Sequence, residues 1–218
     1  MLDVVFGVIF VVAVYFLVSY QMNLKKAAEI AHQAVYPKSK EEFDNILIPA
    51  EWKAMQPLSK TEKSYLYVKW GTAAVLFLAT VLMGIILFTD WLSSSFFTVI
   101  YFLFVIIQAI PHRGNLFIFP NGVIMNAKYY SSKQIESYKV EQIIRWHELY
   151  GLDDRVNNGY KLTFRFKKFN FFQNNFVVVP DRQQLERLIG LLNDQGITGS
   201  AVPVNGDGNE KETYQFKG

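Results

Sequence analysis

The side chains best suited to chemistry in this sequence are the pair His147-Glu148 and an acidic run near the C-terminus. A zinc-protease motif needs a second histidine four residues after the first, so that both imidazoles lie on one face of a helix. Position 151 is glycine, and the only other histidines are His32 and His112. The run Asp207-Gly208-Asn209-Glu210 lacks the ligand spacing of an EF-hand calcium loop. We therefore expect no metal-binding residues.

Residues for nucleophilic or cofactor chemistry are also missing from this chain of 218 residues. It contains no cysteine, which excludes disulfides, thiolate catalysis and cysteine-bound metal centres. No glycine-rich run matches a phosphate-binding or dinucleotide-binding loop, and Ser131 and Ser132 have no base nearby in the sequence. We therefore expect no catalytic residues, no cofactor and no enzymatic activity.

One cluster of basic and aromatic residues points to binding. Alternate residues of a strand lie on the same face, so Lys161, Arg165 and Lys167 share one side of a predicted strand. Basic residues near an anionic membrane surface contribute about 1 kcal/mol each, and the aromatic residues that follow could contact lipid or a partner. The simpler interpretation is the solvated face of a half-buried strand. The candidate surface or headgroup patch consists of Lys161, Arg165, Lys167, Lys168, Phe169, Phe171 and Phe172.

The elements that would position this patch follow from three apolar blocks in a chain whose residues are 51% hydrophobic. Uncharged runs cover residues 4–22, 70–89 and 91–110. A helix needs about 20 apolar residues to cross the hydrocarbon core of a bilayer. The sequence therefore predicts one transmembrane helix within 1–22 and a hairpin of two within 70–111, with the lipid bilayer as a partner.

The basic residues predict the orientation of these helices. All 22 lysine and arginine residues lie within 23–69 or 112–218. Cytoplasmic loops of membrane proteins carry an excess of lysine and arginine. The distribution predicts a multi-pass protein of the bacterial inner (plasma) membrane, with the N-terminus outside and the C-terminal domain cytoplasmic.

Two features of the helical part bear on partners and packing. Residues 23–69 contain Pro37, Pro49 and Pro57 and predict a cytoplasmic helical linker at the membrane surface. Thr80 and Gly84 form a step of two small residues four positions apart, which favours close helix packing. We therefore expect a protein partner or a homo-oligomer.

Residues 112–198 predict a β domain, because the hydrophobic pattern changes from helical to alternating after His112. Asn121-Gly122 is a strong hairpin signal, and aromatic and β-branched residues mark strands at 137–148 and 160–169. Asp181 follows a proline and predicts the cap of a final amphipathic helix. Residues 199–218 are rich in Gly, Asn and Glu and predict a disordered tail.

The runs 114–123 and 129–138, the strand at 160–169 and the helix start at Pro180-Asp181 resemble the bacterial pleckstrin-homology-like (PH-like) domains attached to membrane hairpins. The resemblance implies a small sheet with Ile135 in its core. It also implies no particular chemistry, since such domains occur in many small Firmicute membrane proteins without assigned activity.

The predicted fold class is a membrane α-helical protein with three transmembrane helices plus a small antiparallel β PH-like domain closed by a C-terminal helix. The predicted function is non-enzymatic: the cytoplasmic PH-like domain binds a protein partner or the anionic membrane surface. An accessory subunit of a larger membrane complex, in transport or stress response, and a lipid-acting membrane enzyme are alternatives. The net charge of +3 and the lack of an RNA-binding signature argue against nucleic acid as a partner.

Overall fold

A computed structural model of the chain describes residues 2–49, 52–88, 115–167 and 175–202. The chain divides into two compact units. We call them the helical unit (Met1–Glu29 with Leu58–His112) and the β unit (Ile30–Pro57 with Arg113–Gly218). Each unit takes residues from two separate stretches of the chain, so neither is continuous in sequence.

Within the described residues, four α-helices and nine β-strands form. The helices are α1 (Leu2–Ile30), α2 (Lys40–Asp44), α3 (Lys63–Phe88) and α4 (Arg182–Asp194). The strands are β1 (Leu47–Ile48), β2 (Lys53–Ala54), β3 (Leu116–Phe119), β4 (Gly122–Met125), β5 (Lys128–Ser131), β6 (Ile135–Gln142), β7 (Tyr160–Phe166), β8 (Phe176–Val179) and β9 (Gly199–Val202).

The helical unit contains α1 and α3, and each helix has one buried face. Leu17 is buried on α1, and Val68 and Ala79 are buried on α3. The two helices approach closely where α1 carries a glycine: a Cβ at Gly7 would stand 3.9 Å from Met83 Cε. At that separation the Met83 methyl group is in ordinary van der Waals range of α1.

The membrane prediction is wrong. Across residues 2–49, 52–88, 115–167 and 175–202, no helix is long and apolar enough to cross a membrane. A span needs a helix that stays apolar over about 20 residues, and neither α1 (Leu2–Ile30) nor α3 (Lys63–Phe88) meets that requirement. The predicted transmembrane helices, and the multi-pass localisation and orientation that depended on them, are therefore contradicted. The third block, 91–110, lies outside the described residues.

The β unit contains a mixed six-stranded sheet in the order β2-β1-β8-β7-β6-β9 and a three-stranded antiparallel sheet, β3-β4-β5. β9 runs parallel to β6, with Tyr138 opposite Gly199. The predicted fold class, a small antiparallel PH-like domain beside three transmembrane helices, is therefore contradicted. The physical reason is that the sheet takes strands from outside 112–198: β1 and β2 come from the predicted linker, and β9 comes from the predicted tail.

The predicted hairpin at Asn121-Gly122 is confirmed. β3 and β4 pair in antiparallel register, with Phe119 opposite Gly122. Glycine is required there, because a Cβ on Gly122 would stand only 2.3 Å from the carbonyl oxygen of Tyr130 on β5. Gly122, the residue that ends the turn, thus also leaves room for the backbone of β5 beside β4.

The predicted start of the last helix is also confirmed. The Asp181 carboxylate accepts the Gln184 backbone N–H at 3.0 Å, which caps α4. The apolar stripe of this helix is buried: Leu185, Leu188, Ile189 and Leu192. α4 contacts β8 and covers one side of the β unit.

Aromatic packing and an added backbone segment connect the two sheets to the rest of the β unit. The ring of Tyr130 on β5 stacks on the ring of Phe166 on β7, with 4.0 Å between centroids. On the outer edge of β3, the Ile118 N–H donates to the Tyr36 carbonyl oxygen at 2.8 Å. The Val35 N–H donates to the Ile118 carbonyl oxygen at 2.7 Å. The segment before α2 therefore occupies the edge of the three-stranded sheet.

A buried carboxylate fastens α2 to α4. Glu42 is 5% exposed; it accepts the backbone N–H groups of Lys38 at 2.5 Å and Ser39 at 3.2 Å, and it pairs with the Arg187 guanidinium. Burial alone would raise the pKa of Glu42, but these N–H groups and Arg187 outweigh it and lower the pKa below its usual value. The Arg187 guanidinium also lies 5.6 Å from the ring centroid of Tyr36.

The first prediction concerns this carboxylate. Glu42→Ala should lower the free energy of unfolding of the β unit by about 2–3 kcal/mol, because two N–H groups and Arg187 lose a charged acceptor. Urea unfolding of the full chain, followed by tryptophan fluorescence, measures the change. Glu41→Ala is the matched control: Glu41 is exposed on the same helix, and its loss should change stability by no more than about 0.5 kcal/mol. Equal effects of the two substitutions would contradict this role of Glu42.

The second prediction concerns the parallel strand. A Cβ on Gly199 would stand 2.2 Å from the ring of Tyr138, whose hydroxyl donates to Asn193 Oδ1 at 2.8 Å. Gly199→Ala should therefore displace β9 from β6, and amide hydrogen exchange in residues 199–202 should become faster. Gly190→Ala is the control, because nothing lies within 4 Å of a Cβ at that helical position. Unchanged exchange in Gly199→Ala would show that β9 does not depend on this close approach.

Candidate functional site

Two cations of the predicted basic patch, Lys161 and Arg165, lie on one face of the six-stranded sheet, and each is paired with a carboxylate. Lys161 Nζ lies 2.5 Å from Glu148 Oε1, and its side chain is mostly buried. Arg165 Nε lies 3.2 Å from Glu136 Oε2 on the neighbouring strand β6. Each of these cations therefore faces a carboxylate before any ligand approaches.

A third pair continues the same charged row. Lys139 Nζ lies 2.7 Å from Glu141 Oε1, both on β6, and Glu141 is opposite Lys161 in the sheet register. Acidic and basic side chains thus alternate across β6 and β7. Lys167 is exposed at the end of this row.

Four residues of the predicted patch cannot be placed on this surface. Lys168, Phe169, Phe171 and Phe172 lie outside the described residues, between β7 and β8. The described part of the patch is therefore Lys161, Arg165 and Lys167.

The predicted helix-packing pair lies on α3, in the helical unit. Thr80 is exposed, and its hydroxyl donates to the Leu76 carbonyl oxygen at 2.8 Å. Gly84 has open space where a Cβ would stand. The small side chains at both positions leave this part of α3 open to close approach.

Sequence reasoning missed the most unusual surface of the β unit, the connection between β6 and β7. β6 was expected to continue to residue 148, but it ends at Gln142. The chain then leaves the sheet and returns at Tyr160; we call residues Ile143–Gly159 the aromatic loop. The Ile143 N–H donates to the Gly159 carbonyl oxygen at 2.8 Å, and the Asn158 N–H donates to the Ile143 carbonyl oxygen at 3.0 Å. These two hydrogen bonds close the base of the loop.

Apolar anchors hold the aromatic loop against the sheet. Ile143, Leu149 and Val156 are buried in one cluster with Leu47 of β1 and Val178 of β8. Trp52 and Phe176 pack against the same cluster from its edge. The loop is therefore held against the sheet by buried apolar residues at its start, middle and end: Ile143, Leu149 and Val156.

Polar contacts fix the loop between these anchors. The Gly151 N–H donates to Asn157 Oδ1 at 2.7 Å, and Gly151 adopts a positive φ of 83° that glycine tolerates without strain. Asp153 Oδ1 accepts the backbone N–H of Arg155 at 2.9 Å, and the Arg155 guanidinium donates to the Trp52 carbonyl oxygen. The hydrogen bonds from Arg155 lower the pKa of Asp153, so that carboxylate stays ionised.

On this fixed loop, large apolar side chains point outward. Trp146 is 79% exposed, and Leu152 and Tyr150 are also exposed. The Arg145 guanidinium lies 5.9 Å from the ring centroid of Trp146, within the range of a cation–π contact. Exposed tryptophan on a rigid support is unusual in a folded unit, because its burial would be worth several kcal/mol.

His147 supports the turn that carries Trp146. Its Nδ1 accepts the Leu149 backbone N–H at 3.0 Å, which requires a ring without a proton on that nitrogen. Burial, and then the nearby Lys161 ammonium, lower the pKa of His147. Lys161 and Lys139 face the ring as cations, and Glu141 and Glu148 face it as carboxylates. The imidazole thus acts as a neutral hydrogen-bond acceptor in the turn.

The described residues show no three His, Asp or Glu side chains close enough to hold a metal ion. His147 and Glu148, the pair with metal-like chemistry in the sequence, make contacts within the loop and with Lys161 instead.

No protein-family model, no curated protein and no solved structure matches the chain. The aromatic loop itself was not identified from the sequence. One sequence signal could have located it. The segment after Ile144 is too polar for the interior of a sheet, although it contains Trp146 and Tyr150, and the turn residues 151–154 follow it.

The third prediction follows from His147. Because folding lowers its pKa, the unfolded chain binds more protons once the pH falls below about 6.5. The contribution of His147 to the free energy of unfolding is therefore complete above that pH and is lost as the pH falls towards the folded-state pKa. His147→Asn keeps an acceptor for the Leu149 N–H but does not titrate, so it should flatten this part of the pH profile.

Urea unfolding of both chains at several pH values between about 5 and 8 measures the effect. The difference between wild type and His147→Asn isolates His147, because His32 and His112 are present in both proteins. Parallel pH profiles would contradict the neutral-acceptor role.

Proposed function

We propose that the β unit is a protein-binding module whose contact surface is the aromatic loop, with Trp146 at its centre. The observation that carries the proposal is a tryptophan 79% exposed to solvent on a loop with three buried anchors. Tryptophan, tyrosine and arginine are the residue types that most often dominate binding energy at protein interfaces. Arg145, Trp146 and Tyr150 place all three types together.

The rigidity of the loop supports a binding role. Ordering a flexible loop on binding costs about 0.5–1.5 kcal/mol for each immobilised side chain. Here the backbone is already fixed by the base hydrogen bonds and by Asn157 and Asp153. Most of the energy gained by burying Trp146 and Leu152 is therefore available for affinity.

The charges favour a protein over an anionic surface as the partner. Two described cations of the predicted patch, Lys161 and Arg165, are already paired with Glu148 and Glu136. The loop itself carries Arg145 and Arg155 against three acidic residues, so it is slightly acidic. Binding to anionic headgroups depends on clusters of unpaired basic residues. A neutral-to-acidic surface with aromatic residues and arginine matches the composition of protein interfaces instead.

The fourth prediction tests the loop in the full-length chain. A photo-crosslinking amino acid at position 152 should form a discrete protein adduct in cells of the native host. Trp146→Ala should reduce its yield by about 30-fold, which corresponds to the loss of about 2 kcal/mol at an interface hot spot. Asp154→Ala, an exposed change on the same loop, should leave the yield unchanged. The same cross-linker at the exposed Gln183 of α4 should not form this adduct.

The anionic-surface alternative gives different results in the same set of variants. Binding of the purified chain to vesicles of phosphatidylglycerol would be reduced by Arg165→Ser with Lys167→Ser and not by Trp146→Ala. That pattern, or an adduct yield that does not change in Trp146→Ala, would overturn the proposal.

A further inference from the structure

The helical unit carries an exposed apolar stripe on each of its two described helices, α1 and α3. Along α1 the stripe consists of Val8, Val11, Tyr15, Val18 and Met22. Along α3 it consists of Tyr67, Trp70, Ala74, Phe77 and Val81, and Gly84 continues the same spacing. The large side chains of both stripes are between 42% and 68% exposed, and Ala74 is exposed as well.

The spacing of each stripe alternates between three and four residues. Apolar residues with this alternation repeat every seven residues, which is the pattern by which one helix packs along another in a coiled coil. Neither stripe contains a charged residue. A solvated helix surface carries charged and polar residues without this spacing. The stripes therefore resemble surfaces that pack against another helix.

These stripes are not the surfaces that fold the helical unit itself. The buried residues of α3, among them Val68, Thr72 and Ala79, lie on the face opposite its stripe, because a helix turns by about 100° per residue. Leu17 and Leu24 occupy the corresponding buried face of α1. The Thr72 hydroxyl on the buried face donates to the Val68 carbonyl oxygen at 2.7 Å. Within the described residues, α1 and α3 thus bury one face each and leave both stripes uncovered.

We propose that a second copy of this chain covers the stripes, so that the helical units of two copies pair through α1 and α3. Each copy presents two stripes of the same period, which allows a closed two-fold interface in which each surface meets its own kind. Gly84 and Ala74 permit close approach of backbones, since small residues allow this at helix interfaces. This proposal is independent of the function proposed for the aromatic loop.

The available area matches what a stable dimer needs. Aromatic side chains bury about 150–250 Å² each, and Tyr15, Tyr67, Trp70 and Phe77 are each about two-thirds exposed. These four alone supply roughly 400–650 Å², and a standard interface takes about 800 Å² from each partner. The valines and Met22 of the stripes bring the surface to that range.

The chain offers a clean test because it contains no cysteine. A single cysteine placed on a stripe can form a disulfide of twice the chain mass only with another copy. Phe77→Cys and Tyr15→Cys are suitable, because both positions are near the middle of their helices of 26 and 29 residues. A mid-helix position approaches its counterpart in both parallel and antiparallel pairs. Lys69→Cys is the matched control, exposed on α3 but away from the stripe.

The full-length variants are oxidised with diamide in intact cells and separated on a non-reducing gel. Co-expression of Phe77→Cys and Tyr15→Cys on differently tagged chains covers an arrangement in which α1 of one copy faces α3 of the other. We expect a disulfide-linked species of twice the chain mass from at least one stripe combination, about tenfold above Lys69→Cys, because a disulfide requires Cα atoms within about 7 Å.

Three results would overturn the proposal. The first is the absence of the doubled species from all stripe combinations. The second is an equal yield from Lys69→Cys, which would indicate random collision. The third is an adduct of another mass, which would show that a different protein occupies the stripe.

Discussion

The cluster of Leu47, Val178, Ile143, Leu149 and Val156 is the packing contact on which the surface of the β unit depends. Leu47 and Val178 are neighbours in the sheet, and the three residues of the aromatic loop lie on top of them. Without this cluster, no buried apolar contact would hold β1 beside β8. The aromatic loop would also lose the contacts that anchor it to the sheet. The exposed position of Trp146 is thus a consequence of burial a few residues away on either side.

The charged row on β6 and β7 has a related consequence. Lys161 connects the sheet to the loop by an ion pair: it lies on β7 opposite Glu141 of β6, and its ammonium pairs with Glu148 of the loop. Its ammonium also lies 4.7 Å from the ring centroid of Phe176, at the edge of the apolar cluster. Lys161, which the sequence predicts as part of a basic binding patch, therefore also connects the sheet to the loop.

Local signals in the sequence predicted the local structure well. Asn121-Gly122 and Asp181 act through their own backbone neighbours, so the hairpin and the helix cap could be identified without knowing the fold. The strands β1, β2 and β9 could not, because each is short: β1 and β9 are held by β8 and β6, far away in the sequence, and β2 joins the sheet only through β1. Leu47, for example, reads as part of an irregular proline-rich stretch until Val178 is placed beside it.

The same difference between local and long-range contacts explains how much of the candidate site could be predicted from the sequence. Alternation along β7 correctly placed Lys161 and Arg165 on one face, but the alternation carries no information about Glu148 and Glu136, which neutralise them. The apolar blocks indicated helices, yet whether a helix spans a membrane is a property of the whole helix in the structure and not of an uncharged run. The aromatic loop was not identified from the sequence, because its buried anchors and its exposed residues are both apolar.

The pairing of Glu42 with Arg187 joins residues 145 positions apart in the chain. Contacts of such long sequence separation slow folding, because the chain must close a large loop before they form. During synthesis, α2 and the strands β1 and β2 emerge well before their partners on β8 and α4. The β unit therefore completes its six-stranded sheet only after β8 and α4 have left the ribosome, and Glu42 has no Arg187 beside it until then.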